Sequence, residues 1–143
     1  MNIEEALEKI LNEEPIIVAG TTFETRQIDE VNLETGEKVF WIKDGGDMWL
    51  SLDQDAEEII LFTDIEEEID GESDVAVYGG DDYEFSYETA GKIKDDGEEL
   101  DKISYREFEN NEGTVLRVTE YIVGGEVVAS VGHKISEDEL QEA

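Results

Sequence analysis

Residues 38–53 read KVFWIKDGGDMWLSLD, and the fold follows from how this stretch is parsed. Lys38–Lys43 and Met48–Asp53 are runs of aromatic, β-branched and aliphatic residues, with Asp44-Gly45-Gly46-Asp47 between them. Two such runs around a short Gly-containing connection define a β-hairpin, because glycine takes the positive φ that tight turns demand. Side chains alternate along a strand, so Trp49 lies opposite in direction to Leu50 and Leu52. If the leucines face the core, Trp49 either presents a binding surface or packs beneath the N-terminal segment or the second half of the chain.

The same grammar extends in both directions. Residues 2–13 are helical in pattern: Ile3, Leu7, Ile10 and Leu11 form one apolar face, Asn2 and Glu5 stand in capping-box spacing, and Pro15 discourages continuation. Short strands are expected at 16–19 and within 22–33. The row Ile59, Ile60, Leu61, Phe62 inside 57–65 reads as a strand covered on both faces. Strands are also expected at 74–78, 83–89, 103–109, 114–122 and 126–131, with an acidic loop over 94–101. Ser136 and Glu139 form a second capping-box spacing for a final helical turn. The stretch 64–74, DIEEEIDGESD, has seven acids and no base and separates halves at about 16–65 and 75–135. FWIKDGGDMWLSLD (40–53) and YREFENNEGTVLRV (105–118) echo one another, as a duplicated β-meander or as two ordinary hairpins. The expected architecture is one mainly β domain over 1–143: an antiparallel β-sandwich or small barrel of about eight strands in two similar halves, with a short N-terminal helix.

Composition narrows the function classes. Ten Lys and Arg against 41 Asp and Glu give a net charge of −31 over 143 residues. Such a surface repels nucleic acid and anionic lipid, so neither direct nucleic-acid binding nor membrane insertion is expected. Apolar residues make up 38% of the chain and are patterned, which distinguishes an acidic folded domain from a disordered one. No apolar run is long enough to span a bilayer and the first ten residues lack the basic start of a signal peptide, so the expected location is cytoplasmic. Zero Cys removes disulfides, thiolate metal sites and a Cys nucleophile.

The order Gly20-x-x-Phe23, Trp41, WLSLD (49–53) and IILF (59–62), followed by YGGDDYEF (78–85) and ISYREFENNEGTVLRVTEYIVGGEVVASVGHKIS (103–136), resembles the domain of unknown function 4178 family across roughly 16–140. The resemblance implies a β fold and an accessory role. It brings no catalytic residue with it.

The residues themselves point to no reaction. Asp53-x-Asp55-x-Glu57 opens like a calcium loop, but Glu58 stands where glycine is needed. His133 is the single histidine, and no serine or threonine sits in a nucleophile elbow. No catalytic residue, metal or cofactor is therefore expected. The expected function is a non-catalytic, acidic accessory or protein-interaction module with a protein partner, a basic one being an option the charge allows. The alternative is a nucleic-acid mimic that blocks the cationic site of a DNA-binding or defence protein. Acids at i and i+2 on a strand lie about 6.6 Å apart and can imitate phosphate rows; Glu66 with Glu68, Asp70-x-Glu72-x-Asp74, and Glu107 with Glu109 have that spacing. Salt adaptation in a halophilic host is a third account of the charge. The interaction surface expected from these readings comprises Trp49, Glu66, Glu67, Glu68, Asp70, Glu72, Asp74, Asp81 and Asp82.

Overall fold

A computed structural model describes residues 1–95 and 97–143. Helix α1 (Ile3–Leu11) starts at the expected capping box: Glu5 N donates to Asn2 Oδ1 at 2.8 Å, and Asn2 N donates to the Glu5 carboxylate at 3.5 Å. Strands follow as β1 (Ile16–Val18), β2 (Thr21–Phe23), β3 (Gln27–Leu33), β4 (Lys38–Lys43), β5 (Met48–Asp53), β6 (Glu58–Ile65) and β7 (Val75–Tyr78). The second half supplies β8 (Asp81–Asp95), β9 (Glu98–Glu109), β10 (Thr114–Tyr121), β11 (Val127–Ile135) and the short β12 (Leu140–Glu142).

Eight of these strands close into an antiparallel barrel. The ring runs β3-β4-β5-β6-β11-β10-β9-β8 and returns to β3 through a pairing that sets Val31 opposite Ile93. It consists of two four-stranded meanders, β3–β6 and β8–β11, joined edge to edge at a β6–β11 seam and a β3–β8 seam. Replacing each strand of one meander by its counterpart in the other leaves this neighbour pattern unchanged. Of the two architectures expected, sandwich or barrel, the chain adopts the barrel. Closure removes the open sheet edges that invite association.

Both seams depend on a glycine. A Cβ on Gly91 would sit 2.4 Å from the Asn32 carbonyl oxygen, and one on Gly132 would sit 2.7 Å from the Leu61 carbonyl oxygen. These are contacts with backbone, which a side-chain movement cannot relieve.

Three apolar layers follow from the alternation of side chains. Outside the barrel, α1 and the β12-β1-β2 sheet place Ile3, Leu7 and Ile10 over Ile42, Leu50, Leu52 and Leu61. Inside, Trp41, Trp49, Ile60, Phe62, Ile103 and Tyr105 pack together. On the opposite outer face, Ala76 and Tyr83 cover Phe108 and Leu116, with Ile69 and Val118 against them. The row from Ile59 to Phe62 is therefore buried on both faces, as its composition implies.

Several local expectations need correcting. The stretch 94–101 is mostly strand, since β8 runs to Asp95 and β9 starts at Glu98; Asp96 within it lies outside the described residues. Pairing with β3 and β9 extends β8 past the expected limit at 89. At the C-terminus, Ser136 makes no side-chain cap, and only a 3-10 turn forms at Glu137–Glu139. Leu140 is buried instead, pairing opposite Val18, while the Met1 ammonium donates to its carbonyl at 2.9 Å. Tertiary burial wins over the local capping signal.

Adding the Cβ at the closing seam is predicted to be costly. Gly91→Ala should destabilise the fold by ~1–3 kcal/mol, the usual penalty of overpacking, read as a lower urea midpoint at unchanged slope. Screening should act in the opposite direction: the melting temperature should rise between low salt and ~1 M NaCl, as the Debye length falls from ~10 Å at 0.1 M to ~3 Å.

Candidate functional site

The barrel interior is not wholly apolar. Alternation along β10 sends Arg117 inward with Val115 and Thr119, and along β9 sends Glu107 inward with Tyr105. Arg117 Nη2 and Nε donate to Glu107 Oε1 at 2.8 and 3.3 Å. The guanidinium carbon lies 4.0 Å from the centroid of Tyr105, 4.6 Å from Phe62, 5.9 Å from Trp41 and 6.0 Å from Trp49. Ring faces carry partial negative charge and replace some of the hydration lost on burial. Burial opposes the charge on Arg117, but Tyr105 and Glu107 outweigh it, so the guanidinium holds its proton more firmly than usual. This group of rings and the ion pair fills the middle of the barrel and leaves a recess at each mouth.

The first recess, about 310 Å³, opens between the β4–β5 turn and the β10–β11 turn. Trp41 and Trp49 line its inner end. Asp64 Oδ1 accepts hydrogen bonds from Trp49 Nε1 at 2.8 Å and from Ser130 Oγ at 2.7 Å. Asp29 is 1% exposed; its Oδ1 accepts from Gln27 Nε2 at 2.8 Å. Its Oδ2 lies 3.4 Å from Lys43 Nζ and has no hydrogen bond among the described residues. Burial weakens the Lys43 charge, but Tyr121, Asp29 and Asp64 outweigh this and push its pKa up, so Lys43 stays cationic. At the rim, Asp101 accepts from the backbone N–H groups of Val123, Lys102 and Gly124 at 2.7, 2.7 and 3.1 Å. Those bonds, led by Val123, lower its pKa. Carboxylates at Asp29, Asp64, Asp101 and Glu126 thus outnumber the single ammonium of Lys43. Exposed Leu100, Ile122, Val123 and Val127 stand on the strand ends and turns at this mouth.

The second recess, about 280 Å³, lies at the other mouth, among the ends of β3 and β5, the starts of β4 and β6, and the middle of β8 and β10. Arg117, Tyr105 and Thr89 form its inner end, and Glu37, Asp53 and Glu58 its outer one.

The residues singled out from sequence do not converge on either mouth. Trp49 is not on an outer surface: Leu50 and Leu52 face α1, so Trp49 faces the barrel interior, 5% exposed and stacked on Phe62 at 4.4 Å. Glu66, Glu67, Glu68, Asp70, Glu72 and Asp74 are exposed on an irregular connector, with Glu72 N donating to Asp70 Oδ1 at 3.1 Å. Strand-spaced rows therefore do not form there. Glu107 is inside the barrel and cannot form a displayed pair with Glu109. Asp81 and Asp82 are exposed at the start of β8, on the hairpin with β7. Sequence reasoning missed Asp29, Lys43, Asp64 and Arg117, and placed Glu107 in a displayed row instead of the interior. The available signal was alternation, which puts Arg117 on the face of Val115 and Asp29 on the face of Val31.

Among the described residues, no group of three or more His, Cys, Asp or Glu is arranged to hold a metal ion, and no helix is long and apolar enough to cross a membrane. No known family's model matches the chain, and neither a curated protein nor a solved structure is detectably similar to it.

Glu107→Gln leaves Arg117 buried without its counter-charge and should cost ~3–5 kcal/mol, whereas replacing both partners by apolar residues of similar volume should cost far less. Denaturant unfolding of the single and double variants checks the asymmetry.

Proposed function

We propose that this chain is a non-catalytic binding module whose first recess receives a basic side chain, lysine or arginine, of a protein partner. The observation that carries the reading is Asp29, buried at 1% exposure with an oxygen that lacks a hydrogen bond among the described residues, in a recess where acids outnumber bases. That oxygen has the Lys43 ammonium at 3.4 Å as an ion-pair partner but no hydrogen bond among the described residues, and an incoming ammonium or guanidinium would supply one. The indoles of Trp41 and Trp49 give the same cation an aromatic wall. Around the mouth, the exposed aliphatic residues offer contact area to the partner's flanking chain.

The surface charge supports the same reading. Among the described residues, eight of the ten Lys and Arg side chains lie within ion-pair distance of a carboxylate, so the excess acids dominate what an approaching protein meets. Such a field accelerates encounter with basic surfaces and repels acidic ones. The accessory role implied by the family resemblance agrees with a module that binds without chemistry.

The test uses neutral Gly/Ser peptides carrying one central lysine, arginine or acetyl-lysine. Titration should change tryptophan fluorescence, since Trp41 and Trp49 line the recess and Trp49 is bonded to Asp64. Binding of the lysine and arginine peptides should weaken with added salt and by roughly tenfold in Asp29→Asn and in the rim variant Glu126→Gln, equivalent to ~1.4 kcal/mol. Equal binding of the acetyl-lysine peptide, or no fluorescence response to any of the three, would refute the assignment.

A further inference from the structure

The second recess is lined by two residues with a polar group that has no hydrogen-bond partner among the described residues. Arg117 Nη1 is buried and lacks a hydrogen bond among the described residues, because Glu107 engages only Nε and Nη2. Thr89 Oγ1, from the facing strand β8, is in the same condition. Both residues line this recess of about 280 Å³, and each carries a buried polar atom without a hydrogen bond among the described residues. Together they call for a hydrogen-bond acceptor. A guanidinium is best matched by a carboxylate, and Arg117 can bridge Glu107 and a second one.

The outer end makes the opposite demand. Glu58 is pushed up in pKa, first by burial, although Lys134 Nζ lies 3.7 Å from its carboxylate and opposes the shift. Glu37 is likewise pushed up, first by the neighbouring Asp53 carboxylate. Carboxylates so placed favour either a bound proton or a neighbouring cation. A plain carboxylate ligand would be repelled on its way past them. A plain amine would leave Arg117 and Thr89 as they are. One kind of ligand meets both ends: a carboxylate inside and an ammonium outside. The volume is just below the ~300–1,000 Å³ of pockets for drug-sized molecules, so the occupant is small. Leu33, Val39 and Ala56 supply apolar wall for a short aliphatic body.

We propose that the second recess binds a small zwitterionic amino acid, its carboxylate on Arg117 and Thr89 and its ammonium toward Asp53 and Glu58. This site is separate from the basic-side-chain site at the other mouth, on the far side of the central aromatic group. It does not depend on that site being correctly assigned.

The full chain would be titrated by calorimetry, and its melting followed, with glycine, alanine, valine, β-alanine and 4-aminobutyrate, each up to ~10 mM; a ligand that binds only the folded state must raise the melting temperature with dose. The α- and ω-amino acids then distinguish a short from a longer separation between the charged ends. At least one zwitterion should bind. Its N-acetyl derivative, which lacks the ammonium, and its amide, which lacks the carboxylate, should each bind at least tenfold more weakly.

Because Arg117 belongs to the structural ion pair, the variants are Thr89→Val and Glu58→Gln, both expected to fold and to weaken binding roughly tenfold. Asp29→Asn, in the first recess, should leave it unchanged. Silence from every zwitterion, equal binding of the acetylated and amidated forms, or unaltered affinity in Thr89→Val would overturn the proposal. So would a crystal grown with the best ligand in which Arg117 Nη1 contacts water alone.

Discussion

Arg117 cannot enter a closed barrel as an isolated charge. Desolvating a guanidinium costs several kcal/mol, so its position requires a carboxylate in reach and polarisable rings around it. Glu107 meets the first need from the adjacent strand, where β9 and β10 pair these two residues directly across from each other. Tyr105, Phe62, Trp41 and Trp49 meet the second from four different strands. The ion pair therefore ties together both meanders. It also fixes the interior volume: the rings that surround the guanidinium occupy the middle of the barrel, and the space that remains is at its two mouths.

The local hairpins were legible because their information is local. KVFWIK and MWLSLD flank a Gly-Gly turn, and the observed register sets Lys43 opposite Trp49. The Asn2–Glu5 cap and the two-sided burial of Ile59–Phe62 are equally short-range. Closure is not. It joins Val31 to Ile93 and Phe62 to Gly132, pairs that no turn geometry specifies. Two isolated glycines inside strands, Gly91 and Gly132, were the trace it left, since a strand glycine often marks close backbone approach.

The interior charges were hidden for a different reason. In a barrel with open solvent outside, the apolar face of each strand identifies the core. Here α1 and the small sheet cover β4–β6 from outside, while β7 and the 66–74 connector cover part of β9 and β10. Leu116 is thus as buried as its neighbour Arg117, on the opposite face. When both faces of a strand are apolar, alternation places Trp49 and Leu50 on different sides without naming which side is inside. The same ambiguity leaves Trp49 open between a surface and a packed position and makes Glu107 look like part of a displayed row.

The excess of acid then has two separable roles. On the outer surface it is spread over exposed turns and the connector, where solvated carboxylates contribute a long-range field and little specific structure. At the mouths it is held by geometry: Asp64 by Trp49 and Ser130, Asp29 by Gln27 and Lys43, Asp101 by three backbone N–H groups. Only the second kind can discriminate among cations, because only fixed carboxylates favour one distance and direction over another. The two mouths share the barrel and its central rings but differ in which buried atom lacks a hydrogen bond among the described residues, an Asp29 oxygen that has only the Lys43 ion pair at one and a nitrogen of Arg117 at the other. Opposite hydrogen-bonding deficits at the two ends of one interior would let a single small domain hold the two proposed ligands, which differ in chemistry, without competition.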